Sequence, residues 1–542
     1  MKRVQTLVTG LLIAMLFAPA ALADNLPRVE RRGQATQLIV DGEPYLVMGG
    51  ELHNSSPSSP AYMAHIWDQL AKNNVRTVIG AASWELVEPH EGRFDFTAVD
   101  DQIRQAQARG MRLVMIWFGA YKNAESNYAP SWVRRDQTRF PRAERDPNVK
   151  PTGIAAYLIN GVRLTPFNDR LVEADSRAFA ELMRHIRQVD QSRTVILVQV
   201  ENEVGMISDS RDRSALANAA WSQPVPAELM RYLQQNRASL RPHLLQTWGR
   251  QGFRTAGTWA EVFGTDKAAD EIFMAWGFGS YVQRIAQAGA AQYPLPMYAN
   301  AWLGPQPNSP EPGDYPSGGP VARVMDVWKA GAPGLAFLSP DIYIDDFNGT
   351  LAEFRRADNP IFVPEAKPIA GNLFVALGEH AAIGFSPFGI EDVPGDDPLF
   401  DAYRVLDTIR PQIARAQQEG RIRGFRTAAG SQAKLTLGEY QITASGPRST
   451  EGAFGAGTGS AAVKAEGYCL IIQTGAEDFL VVARAAGLQF SFAGKQVELD
   501  RVQEGRFEKG QWIAGRTLNG DERYAIFPPD RVSVVRMTVY PR

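Results

Sequence analysis

Short apolar runs, each closed by polar or acidic residues, recur through most of the chain, with apolar positions at helical spacing between them. Leu38-Ile39-Val40 before Asp41-Gly42 predicts a strand entering a hairpin turn. Eight runs then read as buried strands: residues 45–50, 75–80, 111–118, 194–200, 296–300, 334–338, 361–363 and 382–385. Helical patterns lie between them. Met63, Ile66, Trp67 and Leu70 mark the first, and others cover about 99–109, 176–189 and 321–330. At least two more fall within 226–291, and a last one spans about 398–418. Eight buried strands with helices between them predict an α/β fold, a parallel (β/α)8 TIM barrel, over residues 24–420. The alternative, an open doubly wound sheet, is weakened because no glycine-rich phosphate loop follows the first strand.

The pattern changes after Ile422-Arg423-Gly424. Residues 434–437, 479–483, 489–492 and 532–539 read as strands separated by turn signals, with no comparable helix. They predict a C-terminal all-β, sandwich-like domain over 421–542. Its stretch Gly455-Ala456-Gly457-Thr458-Gly459 lacks a strand-to-helix setting and reads as a loop. Cys469 is the only cysteine, inside the apolar run 468–472, so it reads as buried and inert and no intramolecular disulfide can form. At the other end, Lys2-Arg3, an apolar run from Leu7 to Ala18 and Ala21-Leu22-Ala23 predict a secretory signal peptide over 1–23. That run is short for a membrane span, and no later stretch approaches the needed length. The expectation is an exported protein, periplasmic or secreted, with no membrane partner. The formal net charge of −2 over 542 residues gives no support to a nucleic-acid partner. A neutral carbohydrate suits it better.

The candidate chemistry sits where the strands end, because the C-terminal face of such a barrel carries the catalytic groups. The run Val195-Ile196-Leu197-Val198 leads into Gln199-Val200-Glu201-Asn202-Glu203-Val204-Gly205, so two acids and an amide stand at the mouth of a buried strand. Ile361-Phe362-Val363-Pro364 likewise ends on Glu365. One such acid is as well explained by a structural ion pair, but two at the ends of two strands are the minimum equipment for glycoside hydrolysis. Glu203, beside Asn202, suits the acid/base and Glu365 the nucleophile. Glu51, His53 and Asn54 follow the first strand; Trp84, Glu85 and Glu88 the second; Tyr121, Lys122 and Asn123 the third. Asn300 and Trp302 follow the fifth, Asp341 and Tyr343 the sixth, and Lys367 the seventh. From these, Asn202, Glu51, Trp84, Glu85, Tyr121, Lys122, Asn123, Trp302 and Tyr343 are the candidate substrate-binding residues, with core packing the alternative for each Trp. The six histidines are scattered without ligand spacing, so no metal or cofactor is expected. A Ser-His-Asp hydrolase is poorly supported, since no G-x-S-x-G elbow is present.

The stretch from Val198 to Gly205 resembles the acid/base motif of glycoside hydrolase family 35 β-galactosidases, with Val204 where Tyr is common. Trp84-Glu85-Leu86-Val87-Glu88-Pro89, with Gly92, Phe94 and Phe96, is similar to the second-strand motif of that family and its clan. The resemblance covers roughly residues 30–415, and the β domain is similar to one in a bacterial exported branch. It implies a retaining enzyme with the acid/base after strand four and the nucleophile after strand seven, positions that Glu203 and Glu365 occupy in the strand count. It also implies exo-action on terminal β-galactosyl residues, with side chains of plant-wall xyloglucan or galactan as substrates. Two departures stand out: Pro364-Glu365-Ala366-Lys367 replaces the usual Ser-Glu-Phe-Tyr, and Glu85 replaces an Asn. Another retaining glycosidase of the clan (β-glucosidase-, arabinosidase- or endo-type) or a non-catalytic carbohydrate-binding protein are the alternatives.

Overall fold

A computed structural model describes residues 26–428, 430–446, 466–524 and 526–542. The expected signal peptide and the loop around Gly455–Gly459 lie outside the described residues.

A small antiparallel sheet of Arg28–Arg32, Ala35–Val40 and Glu43–Tyr45 comes first. Its hairpin turns at Asp41-Gly42, where both residues have positive φ, as the sequence predicts. Leu38 and Val40 join the apolar cluster that fills the barrel, so the hairpin closes one end of it. Eight parallel strands come next. Strands one to six are Val47–Glu51, Thr77–Ser83, Arg112–Lys122, Val195–Asn202, Met297–Trp302 and Phe337–Ile342, each hydrogen-bonded to the next. Glu365–Ala366 pairs with strand six, and Gly384–Phe385 pairs with strand one. The ring closes between strands seven and eight, where Val363 N donates to Gly384 O (3.1 Å) and Ile383 N to Ile361 O (2.7 Å).

Alternation along each strand sorts its side chains. Val114, Ile116 and Phe118 of strand three point inward, with Val47, Ile79, Tyr298, Phe337 and Phe362 from other strands. The alternate residues Leu113, Met115 and Trp117 pack outward under the helices. Two of these helices, Asp169–Val189 and Lys267–Gln292, pack against each other beside strands three and four.

Several elements differ from the sequence reading, among them strand seven, which pairs at Glu365–Ala366, past the apolar run 361–363. Strand six begins at Phe337 rather than Gly334, because Ala332-Pro333-Gly334 still turn out of the helix Met325–Gly331. The last barrel helix is two, Pro398–Asp407 and Arg410–Glu419. Pro411 lacks the N–H that would continue the first helix through it.

The second helix ends at Glu419 and the C-terminal domain begins with Ile422–Thr427. Its strands form one antiparallel sheet, and the two ends of the strand order, Ile422–Thr427 and Gln432–Leu437, lie near each other. The sheet thus folds over a second core containing Phe425, Tyr440, Cys469, Phe479, Val535 and Met537. Burial raises the Cys469 thiol pKa well above its ordinary value, which keeps it a neutral packing group. The outer face of the sheet, with Tyr468, Leu470, Leu480 and Val482, joins the barrel's core. Tyr468 meets Phe374 of the helix Ala370–Gly378 at 4.7 Å between rings.

Candidate active site

Strand four carries the central motif past its last regular pair. Glu201 and Glu203 both have left-handed backbone (φ 62° and 45°), so the strict in-out alternation of the strand stops there. Glu201 turns toward the helix Asp169–Val189, and Asn202 and Glu203 belong to the barrel mouth.

Glu203 is held from strand five: its N–H donates to Asn300 Oδ1 (3.0 Å), and Asn300 Nδ2 donates to Asp341 Oδ2 of strand six (2.7 Å). Asp341 in turn hydrogen-bonds the Glu203 side chain. Glu365 comes from strand seven, with Oε1 accepting from the Tyr343 hydroxyl (2.5 Å) and Oε2 buried without a partner. Glu51 ends strand one, 1% exposed, and neither carboxyl oxygen has a hydrogen-bond partner. Lys122 ends strand three, its ammonium 5.3 Å from the Phe118 ring centre and donating to Asn123 Oδ1. The Asn202 side chain is fully buried, and neither amide atom is paired. Side chains from strands one, three, four, six and seven therefore share one pocket, and several of their polar atoms have no protein partner. Buried polar atoms left unpaired at a barrel mouth are the signature of groups that meet a ligand.

Four carboxyls facing one ammonium cannot all be ionised in so buried a place. Burial, then the Glu365 carboxylate, raises the Glu203 pKa to about 7, against the lowering effects of Lys122 and Asp341. Burial and Glu365 also raise Glu51 and Asp341 well above the ordinary carboxyl range. Glu203 is thus a carboxyl that holds its proton near neutrality.

Other predicted residues fall elsewhere. Trp84 is a core residue: it is fully buried, edge-on to Trp132, with Nε1 donating to Glu88 Oε2 (2.8 Å). Tyr121 points outward, packs on Phe278 and Tyr281, and gives its hydroxyl to Leu164 O (3.0 Å). Glu85 stands half-exposed in a separate cleft, 3.6 Å from Arg134. Asn123 supports the pocket, since its N–H donates to Asn202 O (3.2 Å) and its amide oxygen accepts a hydrogen bond from the Lys122 ammonium. Trp302 stands at the end of strand five, partly buried against Ala124 and Ile207. Tyr343 is 40% exposed at the rim.

A second carboxyl pair lies behind the pocket and has no sequence signal as a pair. Glu201 hydrogen-bonds Asp175 of the helix Asp169–Val189, 26 positions earlier. Glu201 also accepts from the N–H groups of Ala120 (3.1 Å) and Tyr121 (2.7 Å). Asp175 accepts from Trp117 Nε1 (2.7 Å), Ala120 N (3.0 Å) and the Tyr281 hydroxyl (2.7 Å). The pair fastens the end of strand three, so that Lys122 and Asn123 meet strand four correctly.

Among the described residues, no group of three or more His, Cys, Asp or Glu is arranged to hold a metal ion. No described helix is long and apolar enough to cross a membrane.

Residues 37–152 match the family described as Glycosyl hydrolases family 35, and residues 399–529 match a domain of unknown function (DUF5597). A beta-galactosidase of Xanthomonas manihotis is 28% identical over 211 residues, 38% of this chain and 31% of that protein. Beta-galactosidase 14 of Arabidopsis thaliana is 24% identical over 214 residues, 38% of this chain and 22% of that protein. The aligned part thus spans a third or less of either relative. The crystal structure of a beta-galactosidase from Bacillus circulans sp. alkalophilus has 13% identity and a TM-score of 0.43, covering 68% of this chain and 56% of that one. The segment that matches the family, 37–152, supplies strands one to three with Glu51 and Lys122.

Proposed function

We propose that the protein is a retaining, exo-acting β-galactosidase that removes terminal β-galactosyl residues by a two-glutamate double displacement. The observation that carries this reading is the difference between Glu203 and Glu365 within one pocket: Glu203 keeps a proton to about pH 7, and Glu365 offers a free Oε2.

In the first step Glu365 Oε2 attacks the anomeric carbon from one face. Glu203 gives its proton to the departing glycosidic oxygen on the other. The Tyr343 hydroxyl on Oε1 holds the Glu365 carboxylate so that Oε2 faces the sugar. Esterification removes the charge of Glu365, which is the main charged neighbour raising the pKa of Glu203. Glu203 then ionises more readily and takes the proton from the water that hydrolyses the glycosyl-enzyme. Glu51 and Asn202 offer unpaired buried oxygens or nitrogens to the ring hydroxyls. Their near-complete burial suits a single terminal sugar, which supports exo-action. Side chains of plant-wall xyloglucan or galactan are the proposed substrates, and export through the segment 1–23 is the proposed route to them.

Purified protein assayed on aryl β-glycosides that differ only in the sugar tests this reading. Cleavage of the β-galactoside with the β-anomer appearing first supports it. Cleavage of another sugar moves the specificity to a different retaining glycosidase on the same barrel. Cleavage of none leaves a carbohydrate-binding protein.

A further inference from the structure

The chain leaves Glu203 on left-handed backbone and enters Val204-Gly205-Met206, where Gly205 also has positive φ (153°). The Glu203 peptide groups are bonded on both sides, its N–H to Asn300 Oδ1 and its carbonyl to Ala124 N (3.0 Å). The segment that follows is fixed by the long connection after strand five. Met206 N donates to Ser317 O (2.8 Å) and Ser317 N to Met206 O (2.7 Å), an antiparallel bridge between the two segments. Ser208 N donates to Gly313 O (2.9 Å), and Ser317 Oγ to Ser210 O (2.6 Å). The backbones are in contact there. A Cβ on Gly205 would stand 2.4 Å from Pro316 Cβ, and one on Gly319 would stand 2.6 Å from Val204 O, so both positions require glycine.

The connection is anchored in turn by a buried polar cluster. Tyr315, fully buried, directly precedes Pro316, and its hydroxyl donates to Glu271 Oε1 (2.6 Å) of the helix Lys267–Gln292. Arg323, in the turn Ala322–Val324 that ends the connection, stands 3.1 Å from Glu271 Oε2. It also donates to the Tyr315 hydroxyl oxygen (3.3 Å). Trp328 Nε1, from the helix Met325–Gly331, donates to Gly318 O (3.0 Å). Burial raises the Glu271 pKa to about 6, against the lowering effects of Arg323 and Tyr315. Such a cluster permits one geometry, because any displacement orphans a buried polar group.

The route from this cluster to Glu203 is covalent or hydrogen-bonded at every link. It runs from Tyr315 through Pro316 to Ser317, across the bridge to Met206, and back through Gly205 and Val204. General-acid help needs the carboxyl within hydrogen-bond reach of the departing oxygen, and a small misplacement is costly. A carboxyl on left-handed backbone next to a glycine owes its aim to whatever holds the chain on either side.

We infer, on the glycosidase reading above, that Tyr315, Glu271 and Arg323 are positioning residues for the acid/base. They lock the connection after strand five against residues 204–206 and so aim the Glu203 carboxyl at the leaving group.

The test is a ratio of kcat/KM values, on methyl β-galactoside over dinitrophenyl β-galactoside. The first leaving group needs a proton and the second does not, and any loss of folded protein cancels in the ratio. For Tyr315→Phe, which keeps the ring and removes the bond to Glu271, the ratio falls about tenfold. For Ser317→Ala, which loses only the bond to Ser210 O, it falls about threefold. Tyr45→Phe loses a hydroxyl bonded to Thr77 Oγ1 (2.8 Å) at the end of the barrel that the hairpin closes, and it leaves the ratio unchanged. An equal fall on both substrates in Tyr315→Phe, or as large a change of ratio in Tyr45→Phe, overturns the inference. Native-state hydrogen exchange separates this from failure of the activity reading. In Tyr315→Phe the exchange rates of Met206 and Ser317 N–H rise about tenfold relative to that of Ile116 in strand three. An unchanged relative rate overturns the clamp even if wild type cleaves no galactoside. The expected rise, in a protein whose wild type cleaves none, overturns the galactosidase reading alone.

Discussion

The buried pair Glu201–Asp175 predicts an asymmetry between two substitutions that look alike. Burial raises the Asp175 pKa against the opposing hydrogen bonds from Glu201, Trp117 and Tyr281, and it raises Glu201 well above its ordinary value, with the Asp175 charge adding to the effect. Glu201 therefore carries the shared proton and donates it to Asp175. Glu201→Gln keeps nearly every role: its amide nitrogen donates to Asp175, its oxygen still accepts from Tyr121 N, now 2.7 Å from Glu201 Oε2, and the Ala120 N–H that loses Glu201 Oε1 keeps Asp175 Oδ2 (3.0 Å). The expected cost is below about 1 kcal/mol. Asp175→Asn cannot do the same. Oδ1 accepts from Trp117 Nε1, and Oδ2 accepts from Ala120 N and the Tyr281 hydroxyl. Placing an amide nitrogen at either oxygen sets donor against donor, which orphans one or two buried N–H or O–H groups at about 1–3 kcal/mol each. With the charge-assisted bonds also lost, the total is about 3–5 kcal/mol. Urea unfolding followed by tryptophan fluorescence is a direct assay, because Trp117 stands on Asp175. A pH series adds a second arm. The folded state keeps a proton on Glu201 that the unfolded chain has already released, so this contribution is complete below the unfolded pKa and is lost as pH rises toward the folded one. Glu201→Gln cannot ionise and removes that part of the slope. Equal costs for the two amides, or an unaltered slope in Glu201→Gln, would refute the reasoning.

The same geometry sets other outcomes. Glu365→Ala abolishes turnover while circular dichroism and melting stay native, and wild-type rates in that variant would sink the nucleophile assignment. Glu203→Ala slows substrates with poor leaving groups far more than activated aryl glycosides, since the latter need less proton help. In wild type, kcat/KM on poor leaving groups falls as pH rises through about 7, where Glu203 loses its proton, and Glu203→Gln shows no such limb. Tyr343→Phe removes the bond to Glu365 Oε1 and lowers kcat by roughly 10- to 100-fold, the value of a hydrogen bond to a charged group. Arg323→Met strips Glu271, fully buried, of its guanidinium partner at 3.1 Å. About 3–5 kcal/mol of stability is lost in an unfolding titration, and the smaller cost of a surface ion pair would contradict this.

Much of the fold was legible from the chain because burial leaves a linear trace. Strands buried on both faces need unbroken apolar runs, and the helices over them need apolar residues at helical spacing, so the barrel could be counted without any contact being known. Glu203 and Glu365 were legible for the same reason: an acid closing such a run has no role in the run itself. The broken helix at Pro411 and the late start of strand six were less so, since turn geometry depends on a few local bonds that hydrophobicity does not report.

Which side chains meet was decided only by tertiary structure. Trp84, Tyr121, Lys122 and Glu201 all stand at strand ends in the sequence, yet two positive φ angles and the outward face of strand three send them to different places. Trp84 and Tyr121 go to the core, Glu201 to Asp175, and Lys122 to the carboxyls. The raised pKa of Glu203 is likewise a property of the assembled pocket. It arises from burial and from Glu365, 162 residues away along the chain, and neither exists until the barrel closes. Sequence alone determined the barrel, the β domain and the place of Glu203 and Glu365 at two strand ends, because each depends on periodicity or on an isolated exception to it. The choice of partners needed the closed ring, because electrostatics and hydrogen bonding act through space over a few ångströms and not along the chain.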